Sequence, residues 1–370
     1  MSTAADSQPE GMPSEDAYAL VSREAAEVEA PVIDFRPPMP KDRSIPIGLV
    51  GAGGISFAHL DAYRRHGLNV VAIADRHLDR AKARRDQHFP EALATDDIAA
   101  VIADPSIRVL DLTPHPESRA PLIRDALEAG KHVLSQKPFV HDLALGEQLA
   151  DLADARGLHL AVNQNGRWSP HMAWMREAVA RGLVGTVTSV HVSIQWDHSW
   201  VAGTPFDAMD DLILEDFGIH WFDFLVSVIG PGARSVYAIA GRAEGQSARA
   251  PLLGSALVAF DGGQASLVFD GATRFGSADG TVITGTAGTL RSEGPDLGRQ
   301  TVTLHTEAGV ARPALEGTWF NDGFAGTMGA LLVAIETGQP PIHAARANLA
   351  SLRLGHAAIE SVRRGQPVRL

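Results

Sequence analysis

From Ile45 to Val162 the chain alternates short apolar runs with longer amphipathic stretches. Ile45 to Val50 reads as a buried strand, as do Asn69 to Ala74, Val109 to Thr113, His132 to Leu134 and His159 to Val162. Helical stretches lie between them, including Ala120 to Gly130, with the glycine as its C-terminal stop, and Leu143 to Arg156. Such alternation predicts a parallel sheet with helices on both faces. After Asn165 the rhythm changes. A helix is expected over His171 to Gly182, followed by longer strands at Thr186 to Trp196, Ser235 to Ala240, Ser255 to Phe260 and Ala265 to Phe269. Asp261-Gly262-Gly263 is a hairpin signal between the last two. More strands are expected at 281–283 and 301–304, exposed loops at 242–250 and 292–300, and helices at 323–338 and 348–364. The fold class read from this pattern is α/β plus α+β. An N-terminal Rossmann-type parallel sheet precedes a C-terminal domain with a large, mostly antiparallel open sheet. Residues 1–43 are expected to be an extended or disordered tail, and 44–165 the dinucleotide-binding domain. Residues 166–370 form the substrate and oligomerisation domain, whose terminal helices are free to pack back on the first.

The first strand runs into Gly51-Ala52-Gly53-Gly54-Ile55-Ser56, and Asp75 closes the second strand about 20 residues on. This is the βαβ fingerprint for a dinucleotide. Gly51 allows the tight turn, and Gly53 lets the backbone approach a pyrophosphate at the following helix N-terminus. Asp75 is placed for the adenosine ribose hydroxyls and repels a 2′-phosphate, which favours NAD. The neighbouring Arg76 would suit such a phosphate, so NADP stays open. Gly54, Ile55, Thr113, Pro114, Gln136, Lys137 and Asn163 complete the expected cofactor contacts, since ligands sit beyond the carboxyl ends of parallel strands.

The net charge of −12 argues against nucleic acid as a partner. No apolar run approaches the roughly 20 residues of a membrane span, and the first residues lack the pattern of a secretory signal. A cytoplasmic protein is expected. The absence of cysteine removes disulfides and thiolate chemistry. A large open sheet has a face to cover, so a homodimer or homotetramer is expected.

Lys137 follows a strand, precedes Pro138 and lies on the ligand side of the sheet. Partial burial beside a nicotinamide would let it exchange a proton or bond a substrate hydroxyl, and Pro138 invites a cis peptide that aims it. The bland alternative is a surface lysine. Asp216, His220 and Asp223 stand at i, i+4 and i+7, one polar face of an otherwise apolar helix. His220 is read as a proton acceptor oriented by Asp216, with Asp223 more structural. The alternative is a core histidine satisfied by an acid. No metal is expected, because no second histidine stands at ligand spacing. Asn165, Arg167 and Trp168 sit where one domain hands over to the next and suit a polyhydroxylated ligand, or a polar hinge. Trp196, with Asp197, His198 and Trp200 near it, offers a face for a sugar ring, or a core contact. His59 is read as packing.

The glycine turn at 51–55, the run Ala129 to Pro138 and the stretch Asp216 to Asp223 together resemble the glucose–fructose oxidoreductase, inositol dehydrogenase and rhizopine catabolism family, Gfo/Idh/MocA, from about Ile45 to Leu370. The resemblance implies NAD(P)-dependent hydride transfer at a secondary alcohol or ketone of a sugar, sugar derivative or cyclitol. It carries catalytic roles to Lys137, Asp216 and His220, which also contact the substrate. Gln136 stands where the family carries glutamate, and Ser118 and Arg119 near where a histidine commonly follows the Thr-Pro turn. Two alternatives remain open. One is a tightly held NAD used for transient oxidation in glycoside cleavage or epimerisation, and the other is a noncatalytic NAD-binding regulator.

Overall fold

The structure, a computed structural model, describes residues 25–370; of the tail expected over 1–43, residues 1–24 lie outside the described residues. A two-residue strand, β1 (Glu27–Val28), comes first. The segment after it runs along the body, where the backbone amides of Lys41 and Asp42 donate to the Glu336 carboxylate at 3.1 and 2.6 Å.

The first sheet is built from β2 (Ile47–Val50), β3 (Val70–Ala74), β4 (Leu93–Thr95), β5 (Val109–Leu112), β6 (His132–Ser135) and β7 (Leu160–Val162). All its pairings are parallel, in the order β4-β3-β2-β5-β6-β7. Each residue of β2 and β5 is buried, which is why those strands read as continuous apolar runs. The chain leaves β2 in one direction for β3 and later returns to its other side for β5. The crevice for a ligand opens at that reversal. Helices α1 (Ser56–Arg65), α2 (Leu78–His88), α3 (Ile98–Ala103), α4 (Pro116–Glu128) and α5 (Leu143–Ala155) make the crossovers.

The second domain starts with α6 (Pro170–Ala180), β8 (Val187–Gln195) and α7 (Ile219–Ile229). There follow β9 (Ala233–Gly241), β10 (Leu253–Phe260), β11 (Gly263–Asp270), β12 (Ala278–Gly285), β13 (Gly288–Asp296), β14 (Arg299–Thr306) and β15 (Gly309–Ala311). The chain ends with α8 (Trp319–Thr337), α9 (Ala345–Arg364) and β16 (Val368–Arg369). The sheet order is β1-β15-β14-β13-β12-β8-β11-β10-β9-β16, antiparallel except where β8 meets β11 and β1 meets β15. Period-2 alternation turns Val190, Val192 and Ile194 of β8 inward, against Trp174 of α6 and Trp221, Phe222 and Phe224 of α7. Each such aromatic contributes about 1.5–3 kcal/mol by leaving water.

The last two helices tie the domains together. Phe324, Met328, Leu331 and Leu332 of α8 cover one face of the parallel sheet, while Leu349 and Leu352 of α9 join the core on the other. Among the described residues no helix is long and apolar enough to cross a membrane.

One loop expectation is overturned. Residues 292–300 are strand for most of their length, because β13 runs to Asp296 and β14 begins at Arg299. Ser292 points inward and is buried, as are Thr281 and Asp279 of the neighbouring strand. Polar residues on the buried face erase the alternation that signals a strand.

Candidate active site

Gly51 holds φ +99°, and a Cβ there would lie 2.7 Å from Thr113 Oγ1 and 2.9 Å from Pro114 Cδ, so the turn requires glycine. At Gly53 and Gly54 a Cβ would meet nothing within 4 Å. The space above the turn is open, and α1 starts there with no side chain capping its N-terminus. Open backbone, free N–H groups and the positive helix end fit a pyrophosphate. Asp75 is buried, its carboxylate accepting from Ala52 N at 2.7 Å and His77 N at 2.8 Å, which fixes it beside the glycine turn. Arg76 is exposed. Arg84 of α2, absent from the sequence expectations, donates to Gly53 O at 3.2 Å and Ser56 Oγ at 3.1 Å.

A cleft of about 690 Å³ continues from the turn past the ends of β5 and β6. Ile55, Thr113, Pro114, Gln136, Lys137, Asn165, Asp216 and His220 line it. The Lys137–Pro138 peptide is cis. Lys137 Nζ donates to Asp216 Oδ1 at 2.9 Å and to the Asp216 carbonyl at 2.8 Å, joining the two domains inside the cleft. Burial works to raise the Asp216 pKa, but the Lys137 ammonium outweighs it and holds the carboxyl below its usual range.

The orientation expected for Asp216 is corrected. It lies in a π turn, Ile213–Phe217, where Gly218 N bonds to Ile213 O at 2.9 Å. The turn inserts a residue into the helical register; Asp216 and His220 both line the cleft, while Asp223 is buried against Arg167. The Asp216 carboxylate goes to Lys137 and makes no hydrogen bond with His220. The imidazole stands edge-on to Trp319 at 5.5 Å between ring centres, with Nδ1 sealed from solvent and unpartnered. Burial, helped by the Lys137 ammonium, pushes the His220 pKa down to about 3, so the ring is neutral.

Four other expected contacts lie away from the cleft surface. Arg167 is buried in a fork with Asp223, Nε to Oδ2 at 2.6 Å and Nη2 to Oδ1 at 2.8 Å, because a buried guanidinium needs a carboxylate. Trp168 packs edge-on against His343 at 4.8 Å and borders a separate cavity behind the cleft. Trp196 sits in an aromatic cluster with Phe217 and Trp221 and opens on a neighbouring depression instead. Asn163 is fully buried behind Gln136.

In their place stand Trp200, which the sequence reading grouped with Trp196 as a face for a sugar ring, Arg119, which it noted after the Thr-Pro turn, and residues it did not assign to the site. Trp200, Phe206, Trp319 and Phe320 form aromatic walls. Arg119 is fully buried, and its guanidinium donates to the carbonyls of Pro114 and Pro138, binding together the two loops that floor the cleft. Burial lowers its pKa to about 9. His141 bridges Glu117 and Glu215 at 3.0 and 2.7 Å on the rim. None of these positions carries a periodic or motif signal; only the Thr-Pro turn near Arg119 hints at one.

A βαβ crevice that meets a lysine–carboxylate pair where two domains join defines the class: a Rossmann-type nucleotide-binding domain followed by a domain built on a mostly antiparallel sheet. The family described as "Oxidoreductase family, NAD-binding Rossmann fold" matches residues 45–164, and the GFO/IDH/MocA C-terminal domain matches 172–291. The chain belongs to the Gfo/Idh/MocA oxidoreductases, and its first domain is the NAD-binding one. It is 26% identical to inositol 2-dehydrogenase of Rhizobium meliloti over 329 residues, 86% of this chain and 97% of that protein. D-apiose dehydrogenase of Paraburkholderia graminis is 30% identical over 188 residues, 50% of each chain. The chain thus spans about half the length of this and several other curated relatives it matches. The fold is shared with an oxidoreductase from Agrobacterium radiobacter, solved with NAD+, L-tartaric acid and magnesium, at TM-score 0.80 and 21% identity over 88% of this chain and 98% of that one.

Proposed function

We propose that the protein oxidises, or in reverse reduces, a secondary alcohol carbon of an uncharged sugar, sugar derivative or cyclitol, with NAD preferred over NADP. The observation that carries this reading is Lys137 Nζ held at 2.9 Å from Asp216 in the cleft that begins at the open glycine turn. When bound, the nicotinamide supplies the acceptor for the hydride that leaves the alcohol carbon. The side chains manage the proton. Two of the three ammonium N–H bonds are spent on Asp216, which leaves one for a substrate oxygen. Through it Lys137 gives a proton to a carbonyl being reduced, and the amine takes the proton back from an alcohol being oxidised. The neutral imidazole of His220 accepts a hydrogen bond from a substrate hydroxyl and orients it. The carboxylate of Asp75 at the adenosine end disfavours a 2′-phosphate.

The aromatic walls at 200, 206, 319 and 320 suit the apolar faces of a sugar ring, and Asn165 its hydroxyls. Five lining carboxylates, Glu117, Asp210, Asp211, Glu215 and Asp216, outnumber the cations Arg119, Lys137 and Arg363, even with Asp211 paired to Arg363 and Glu215 to His141, and this balance disfavours anionic substrates. Inositol 2-dehydrogenase and D-apiose dehydrogenase are named for uncharged polyols. A panel of neutral sugars and inositols, with sugar acids and sugar phosphates as controls, tests the reading through NADH absorbance. Turnover is expected on neutral members only. Turnover confined to the acids or phosphates would reject it, and retained cofactor with no net NADH would favour transient redox chemistry.

A second copy of the chain is proposed to cover the outer sheet face, where Tyr237, Ile239, Leu257 and Val268 are exposed on three adjacent strands. Light scattering should show a dimer or tetramer that Leu257→Glu weakens; a monomeric wild type would dismiss the idea.

A further inference from the structure

Behind the cleft lies a chain of buried polar groups that the reaction does not use directly. Asp111, on the central strand β5, is fully buried and its Oδ2 lies 2.7 Å from both His59 Nδ1 and Tyr63 Oη. His59 Nε2 lies 3.2 Å from Asn163 Nδ2. The same Asn163 Nδ2 lies 2.9 Å from Gln136 Oε1, and Thr327 Oγ1 donates to Asn163 Oδ1 at 2.8 Å. Gln136 Oε1 in turn lies 2.7 Å from the backbone nitrogen of Lys137. His59, Tyr63, Asn163 and Thr327 are all fully buried.

The direction of each bond follows from the two ends. A carboxylate accepts only, so the Nδ1 of His59 carries the proton toward Asp111, and its Nε2 presents a lone pair. A backbone N–H donates only, so Gln136 must offer its oxygen to Lys137. Asn163 stands between two acceptors and satisfies both with its two amide hydrogens, while its oxygen shares the single Thr327 hydroxyl hydrogen with the Phe324 carbonyl, 2.9 Å from Thr327 Oγ1. No other assignment of the amides fills every position. The Gln136 oxygen is therefore fully engaged on the protein side, and its NH₂ group is left for the cleft that Gln136 lines.

Gln136 follows β6, and β3, which Asp75 follows, is three strands away across β2 and β5. That is about 14 Å along the carboxyl edge of the sheet. If the adenosine ribose sits at Asp75, the far end of the dinucleotide reaches the loops after β5 and β6. We propose that Gln136 is a nicotinamide-binding residue, donating from its amide to the carboxamide oxygen, and that His59, Asn163 and Thr327 are positioning residues that fix which end of the Gln136 amide faces the ligand. The proposal rests on the NAD reading above and adds residues of the buried core to it.

The test compares two ligands by calorimetric titration: NADH, and ADP-ribose, which lacks the nicotinamide. Gln136→Met should bind ADP-ribose within about twofold of wild type and NADH about tenfold more weakly, the worth of one ordinary hydrogen bond. Thr327→Val and His59→Phe should show the same selective loss, smaller in size, and neither should add to the loss when combined with Gln136→Met. Thr327→Val changes shape least and stands in if His59→Phe does not fold. Equal weakening of NADH and ADP-ribose in Gln136→Met, or additive losses in the double variants, would overturn the relay. Failure of wild type to bind ADP-ribose would instead bring down the cofactor reading beneath it.

Discussion

Two ion pairs stand near the hand-over between the domains, Lys137–Asp216 across it and Arg167–Asp223 just beyond it, and their carboxylates stand seven positions apart, at Asp216 and Asp223. Arg167–Asp223 is closed. The fork is 2.6 and 2.8 Å, Asn348 and Ser351 donate to the same carboxylate at 3.2 and 2.8 Å, and the remaining Arg167 nitrogen donates to Ile342 O at 2.6 Å. The side chains are 7% and 1% exposed. Lys137–Asp216 is open, with one contact to the carboxylate and exposures of 16% and 27%. The closed pair is sealed from the cleft and fixes the hand-over segment to α7 and α9. The open pair keeps an N–H free at the cleft. Burial without spare capacity makes structure, and partial burial with spare capacity makes a site.

Breaking the two pairs separates these roles. Lys137→Ala should cut turnover by about 10²–10⁴-fold with NAD still bound and little change in melting temperature. Asp223→Ala should lower stability by about 3–5 kcal/mol, because it strands the buried guanidinium. A thermal melt and a turnover assay on both variants check the contrast, and a Lys137→Ala protein with normal turnover would end it. His220 sharpens the comparison next. With its pKa pushed down to about 3, it gives kcat/KM no acid limb near the ordinary 6.5. A limb near that ordinary value that disappears in His220→Asn would show that the imidazole carries the proton instead.

The smallest effect concerns Asp279, a buried acid with neither oxygen partnered, whose pKa burial raises to about 7. Its folded pKa exceeds the unfolded one, so its contribution is whole below the unfolded value of 3.8 and is lost as pH rises through about 7. Asp279→Asn should flatten that decline and be the more stable protein at pH 8, as denaturant melts across pH would report. Equal slopes for both proteins would show that Asp279 is ionised in the fold.

The first domain was legible nearly throughout, because its information is local. The glycine turn needs a φ that only glycine adopts freely, the buried strands are apolar in every position, and the acid that closes β3 stands at a fixed distance. Lys137 was legible for the same reason, at the end of a strand in a known order. The second domain was harder. Residues 292–300 hid a strand behind inward polar side chains, and the Asp216 carboxylate turned to Lys137 instead of His220. Arg167, Trp168 and Trp196 have the chemistry of a sugar site, yet burial and partners placed them elsewhere.

What the amino-acid order determined on its own was a Rossmann-type domain, its dinucleotide crevice, and the lysine, aspartate and histidine that come to line one cleft. What only the tertiary structure decided was pairing: that Asp216 serves Lys137, that Arg119 ties two loops, and that His59 and Asn163 stand behind Gln136. The reason is physical. Backbone conformation and strand burial are set by neighbours in sequence, whereas a charge or amide takes whichever partner the fold brings within about 3 Å, and those partners lie far apart along the chain.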